Sequence, residues 1–187
     1  MILINHELKT PLTTILSFAG LLKETILSDE QNLFTSRILK SSEKLKSIVD
    51  DVLFIVKGDV GLIPIKTENF KIDSLFFEIP TEIALSLKTK NQILKFDFQA
   101  PDLKSDPFLL KTAIMRALHN ATKFGKVQSE ILIQSSLSAT GQFVLKIQNQ
   151  GPLISQNILD KILKPFQLDE NVMNHSVGMG LGLTICN

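Results

Sequence analysis

The feature that most constrains this chain is a pair of apolar stripes in its first 57 residues. Leu8, Leu12, Ile15, Ala19, Leu22 and Ile26 recur at alternating spacings of four and three, the repeat of one face of an α-helix. Residues 2–26 therefore read as one helix, about 37 Å long at roughly 1.5 Å per residue. Pro11 lies inside it. It has no N–H and crowds the Glu7 carbonyl, so a kink is expected near His6. Ser28-Asp29-Glu30-Gln31 has the form of a capping box and predicts the start of a second helix, running to about Lys57. Ile38, Leu45, Val49, Val52 and Val56 carry its stripe, with Ser42 as the polar member, and Gly58 and Gly61 end it. Two such helices cannot bury two stripes between themselves. Two copies of the hairpin can, so a homodimeric four-helix bundle is expected.

From Ile63 the pattern changes. Residues 67–71 and 93–98 read as strands, with a helical stretch over 73–89 that Pro80 interrupts. Asp106-Pro107 opens a helix that runs to about Lys123, with proline at the first helical position. Strands at 130–136 and 143–149 follow, joined by a turn at Gly141. A short helix over 156–163, an irregular polar stretch over 164–177 and a glycine-rich entry to a final helix complete the chain. The fold class is thus α+β: an antiparallel helical hairpin over 1–60, then an α/β sandwich over 62–187 with one mixed sheet under helices.

Composition narrows the function classes. Hydrophobic residues make up 44% of the 187, enough for real cores. The net charge is +1 and neither half is strongly basic, which argues against nucleic acid as a partner. Cys186 is the only cysteine, so an intrachain disulfide is impossible, and a reducing, cytoplasmic setting fits. No apolar run reaches the ~18 residues of a membrane span and no signal peptide is visible, so no membrane contact is expected of this chain.

Four constellations carry chemistry. In Asn5-His6-Glu7-Leu8-Lys9-Thr10-Pro11-Leu12, the imidazole of His6 is a nucleophile partly neutral at pH 7. The neighbouring Glu7 carboxylate can take the proton released when nitrogen attacks phosphorus. Thr10 lies one turn along the same face, where its hydroxyl can position a water. In the helix after Asp106, Arg116, Asn120 and Lys123 share a face. The Asn120 carbonyl suits magnesium, and the two cations suit phosphate oxygens. Asn149-Gln150-Gly151-Pro152-Leu153 follows a strand directly. Gly178-Met179-Gly180-Leu181-Gly182-Leu183 leads into a helix, an arrangement of free N–H groups that cradles phosphate.

Each segment alone is a weak signal. In this order they resemble the sensor histidine kinases. Residues 5–12 are similar to the family's H box, S-H-E-L-R-T-P-L, from which only Asn5 and Lys9 differ. The resemblance implies that His6 accepts the phosphoryl group, that Glu7 acts as general base and that Thr10 assists dephosphorylation of the partner. Arg116–Phe124 is similar to the N box, N-L-L-x-N-A-x-K-F. Asn120 falls on the magnesium-binding Asn and Lys123 on the phosphate-side Lys, while Arg116 replaces the first Asn. His119 falls on a variable position.

Asn149–Leu153 resembles the first glycine box, D-x-G-x-G, in degenerate form: Asn149 stands for the Asp that accepts from the adenine amino group, Gly151 is kept and Leu153 replaces the second Gly. An Asn oxygen still accepts that bond. The lost charge costs about 1 kcal/mol, roughly a fivefold to tenfold loss in ATP affinity. Gly178, Gly180, Leu181 and Gly182 match the second glycine box, and Ile162–Phe166 is similar to the F box.

The resemblance implies a Bergerat/GHKL-type ATPase fold, ATP and Mg2+ as cofactors, and a response-regulator receiver domain as partner. It also implies a chain short at both ends, with two closing strands expected beyond residue 187. Arg116, Asn149 and Leu153 leave a second expectation open, a pseudokinase serving as dimerising scaffold or as a phosphatase. An unrelated ATPase of the same fold would have no use for the H box.

Overall fold

The computed structural model describes residues 2–99 and 102–155, with side chains from Glu7 onward. The chain divides into two compact units, Met1–Ile63 and Pro64–Asn187.

The first unit is the helical hairpin. Helix α1 spans Ile2–Lys23 and stays helical through Pro11. It ends three residues before the expected Ile26, which is fully exposed. Helix α2 spans Asp29–Asp59 and starts on the expected capping box. The Gln31 N–H donates to Ser28 Oγ at 3.3 Å, and the Ser28 N–H donates to Gln31 Oε1 at 2.9 Å. Its other end closes as a Schellman turn. Gly61 takes φ +67°, the Leu62 N–H reaches the Lys57 carbonyl at 2.8 Å and the Gly61 N–H reaches the Gly58 carbonyl at 2.9 Å.

Between the helices lie Leu12, Ala19, Thr35, Ser42 and Asp51, all buried. Much of the stripe is not covered within the hairpin: Ile15 is 48% exposed, Leu22 47%, Ile38 47% and Leu45 50%. Leaving so much leucine and isoleucine in water is unfavourable by roughly 1 kcal/mol or more per side chain. The hairpin thus presents the apolar face that a second copy would bury.

Among its described residues the second unit has two small sheets. Strand β1 (Glu68–Phe70) pairs antiparallel with β3 (Leu103–Ser105). Strand β2 (Ile93–Phe98) pairs parallel with β4 (Glu130–Leu137), and β4 pairs antiparallel with β5 (Phe143–Asn149), giving a mixed sheet of order β2-β4-β5. The first expected strand therefore lies outside the mixed sheet, and β3 is an element the sequence did not announce. The helical stretch broken at Pro80 is a short 3-10 helix, Ile72–Phe76, followed by helix α3, Thr81–Lys90. Helix α4 spans Pro107–Phe124.

One face of the mixed sheet carries Leu94, Phe96, Phe98, Ile131, Ile133, Ser135, Leu145 and Ile147. Most of these pack with Ile72, Leu75, Phe76, Ile83 and the α4 residues Ile114, Met115, Leu118 and Ala121 into one core. Both α4 and its start are set by local chemistry. Pro107 occupies the first helical position, and Asp106 Oδ1 accepts from the Leu109 N–H at 2.9 Å. The other oxygen, Oδ2, accepts from the Lys66 N–H at 2.7 Å, so one buried carboxylate ties the helix start to the segment before β1. No described helix is long and apolar enough to cross a membrane.

Candidate functional site

In the first unit, residue 6 sits on α1 one turn before Thr10. Glu7 and Thr10 are exposed, so a carboxylate and a hydroxyl face water within the helical turn that follows the His6 position. Lys9 Nζ pairs with Asp50 Oδ1 at 2.6 Å across the hairpin. Both partners are over 40% exposed, so the pair adds little stability. It does show that Asp50 of α2 lies opposite Lys9 of α1. A shallow trough lined by Lys9, Thr10, Thr13, Thr14, Ser17 and Phe18 runs along α1 from there.

In the second unit, the amphipathic pattern of α4 places Ile114, Met115, Leu118, Ala121 and Thr122 in the core. Arg116, Asn120 and Lys123 fall on the remaining face, each half-buried. His119 lies beside them. Burial holds its imidazole below the ordinary value of 6.5; the Glu82 carboxylate opposes this, and Lys123 and Arg116 reinforce it. The ring is thus largely neutral at pH 7. The two cations that disfavour its charge make the same face favourable for an anion. The Lys123 ammonium rests 5.0 Å from the centre of the Phe124 ring.

The end of β5 closes on the end of α4. The Lys126 N–H donates to the Gln150 carbonyl at 2.7 Å. A Cβ at Gly151 would lie 2.7 Å from the Phe124 carbonyl oxygen and 3.0 Å from Asn149 Nδ2, so only glycine allows this approach. Asn149, half-buried at the last position of β5, and Gly151 are thereby brought to the turn that carries Lys123. Leu153 points away into solvent, fully exposed, and neither crowds nor covers that turn. Gly178, Gly180, Leu181, Gly182, the F-box stretch, the helix over 156–163 and Cys186 lie outside the described residues.

Sequence reasoning missed two residues at this junction. Lys90, the last residue of α3, donates through Nζ to the carbonyls of Thr122 at 3.0 Å, Lys123, and Gly125 at 3.1 Å. Gln92 Nε2 donates to the Lys126 carbonyl at 3.1 Å. Their only sequence signal was the generic preference for a lysine at a helix C-terminus.

The residues fit a nucleotide with a divalent cation. A backbone cradle that excludes a Cβ, an amide oxygen at Asn120 and two nearby cations are the groups such a ligand uses.

Known proteins match along this layout. The His Kinase A (phospho-acceptor) domain matches residues 4–61. The histidine kinase-, DNA gyrase B- and HSP90-like ATPase matches residues 105–187. The autoinducer 2 sensor kinase/phosphatase LuxQ of Vibrio cholerae is 30% identical over 97% of this chain, which spans 22% of that protein. The cell-division control histidine kinase PdhS of Brucella suis is 24% identical over 97% of the chain, which spans 19% of it. Among solved structures, full-length ShkA in complex with AMPPNP gives a TM-score of 0.84 at 24% identity, covering 98% of this chain and 38% of that one. The Acinetobacter baumannii histidine kinase AdeS gives 0.69 at 21%, covering 97% and 83%. At these identities the structural likeness is one of fold.

Proposed function

Since this chain belongs to the sensor histidine kinases, we propose that it phosphorylates itself on His6 from ATP and passes the phosphoryl group to an aspartate of a response-regulator receiver domain. Residues 1–60 form the dimerising and phospho-accepting unit. Residues 62–187 form the ATP-binding unit.

The observation that carries the reading is the closure of β5 onto α4. Two segments far apart in sequence, each with the residue types a nucleotide needs, meet where the Gly151 backbone abuts the Phe124 carbonyl. In this reading Asn149 accepts from the adenine amino group, Gly151 lets the loop after Asn149 close against the Phe124 carbonyl, and Lys123 and Arg116 hold phosphate charge. Asn120 supplies an oxygen ligand to magnesium, which when bound neutralises charge on the phosphates. Phosphate binding is assigned to Gly178, Gly180, Leu181 and Gly182 by their motif.

The His6 imidazole nitrogen forms a bond to the γ-phosphorus as the bridging oxygen bond breaks and ADP leaves. Glu7 takes the imidazole proton, and its exposure on α1 supports a role on an incoming group. Positioning and charge neutralisation supply most of the rate. Thr10, exposed beside the trough, would orient the water that hydrolyses the partner's aspartyl phosphate, releasing inorganic phosphate. The half-exposed stripe on the hairpin supports assembly as a homodimer. The absence of a spanning helix among the described residues is compatible with a cytoplasmic kinase core.

Calorimetric titration of the full chain with a non-hydrolysable ATP analogue tests the nucleotide site. Binding that strengthens with magnesium, and loses that dependence in Asn120→Ala, is the expected result. An intact wild-type chain that binds no analogue would remove the kinase reading and leave a scaffold.

A further inference from the structure

We infer that Lys90 is a positioning residue for the nucleotide site, acting through the last turn of α4; the inference deepens the kinase reading and rests on it. A helix ends with four carbonyls that no intrahelical N–H satisfies. In α4 the Ala121 carbonyl receives the Gly125 N–H at 2.9 Å. The carbonyls of Thr122, Lys123 and Gly125 converge instead on one ammonium, that of Lys90. Its positive charge also sits at the negative end of the helix dipole, where it is most favourable.

Lys90 is well placed to hold this turn because its own backbone is pinned. Asn91 takes the left-handed conformation at φ 49°, and the Gln92 N–H returns to the Leu87 carbonyl at 2.9 Å. The Lys90 carbonyl accepts from the Gln128 N–H at 2.8 Å. Beside it, Gln92 holds the Lys126 carbonyl, and its side chain fills the space where a Cβ on Gly125 would lie. The α3–β2 corner thus grips residues 122–126 from behind.

What that grip controls is the other side of the same turn. It carries Lys123, and it offers the Phe124 carbonyl and the Lys126 N–H on which Gly151 and Gln150 rest. Without the ammonium, three carbonyls turn toward water. The peptide bearing Lys123 then loses its fixed relation to the Asn149–Gly151 cradle. Nucleotide binding must restore that relation, so affinity falls by the fraction of time the turn is in place. The chemical step, once ATP is bound, is little affected.

The test compares the full chain with Lys90→Met, Lys90→Arg and, as a charge control, Lys88→Met on the exposed surface of the same helix. Amide exchange at Gly125 and Lys126 without nucleotide reports the grip itself. The KM for ATP and the rate of phosphorylation at saturating ATP report its effect on the site. Lys90→Met should lose amide protection and raise KM about tenfold, with the saturated rate changed less than about twofold. Lys90→Arg should recover part of both, and Lys88→Met should match wild type. Lost protection with unchanged KM would overturn the inference and leave Lys90 a structural cap. A fall in saturated rate with no change in KM would overturn it as well. A wild-type chain that binds no ATP would be recognised separately, because it fails before any variant is compared.

Discussion

Replacing Gly151 by alanine should damage stability and nucleotide binding together, and the structure sets the size of the effect. The new Cβ would sit 2.7 Å from the Phe124 carbonyl oxygen, whereas ordinary contact begins near 3.4 Å. The loop must therefore retreat by about 0.7 Å, since the carbonyl belongs to a helix end held by Lys90. The retreat stretches the 2.7 Å bond from the Lys126 N–H to the Gln150 carbonyl to about 3.4 Å, beyond useful strength. One lost hydrogen bond is worth about 1 kcal/mol and the residual crowding roughly 1 kcal/mol more. Urea denaturation of Gly151→Ala should thus show a loss of about 2 kcal/mol at unchanged m-value. If ATP binds only with the loop back in place, the strain adds to the binding cost. About 1.4 kcal/mol of it is a tenfold weaker Kd, readable by calorimetry. Wild-type stability together with wild-type Kd in this variant would refute the reasoning, because the cradle would then tolerate a methyl group.

Two further perturbations follow from the same structure. Asp106→Asn should lower Tm at neutral pH. The Leu109 N–H, and after it the Lys66 N–H, hold the Asp106 carboxyl below its ordinary 3.8, so the charged form contributes stability above that value and loses it as pH falls through the folded-state value. The gap between variant and wild type, followed by thermal melts across pH, should therefore be full at neutral pH and close in acid; a gap independent of pH would contradict it. Ile15→Asp with Leu45→Asp places charge on the uncovered stripe, and light scattering should report a dimer for the wild type and a monomer for the double variant. A dimer that survives both substitutions would mean another surface holds it.

The elements legible in the sequence were those whose ends are written in local chemistry. Ser28 and Gln31 announced α2 because a capping box uses only neighbouring residues, and Asp106-Pro107 announced α4 for the same reason. Strands β2, β4 and β5 stood out as runs of apolar and β-branched residues. Strand β3 did not, since Leu103-Lys104-Ser105 is too short to show a period and is a strand only through its pairing with β1. That pairing also removed β1 from the mixed sheet. The sequence reports strand propensity but not partner.

The site divides along the same line. Arg116, Asn120 and Lys123 share a helix face by simple spacing, and Gly151 was marked by its motif. The grip of Lys90 and Gln92 was invisible, because their partners are backbone carbonyls, which carry no residue identity. His119, assigned no role from sequence, gains from the structure only a shared electrostatic environment with Lys123 and Arg116.

The residue that receives the phosphate decides whether this chain is a histidine kinase. The full chain should be incubated with magnesium and ATP labelled at the γ-position, and the labelled peptide mapped by mass spectrometry under alkaline conditions. One acid-labile phosphate is expected, on the peptide containing His6, absent from His6→Gln. Label retained in that variant, or ATP consumed with no phosphate held on residue 6, would contradict it.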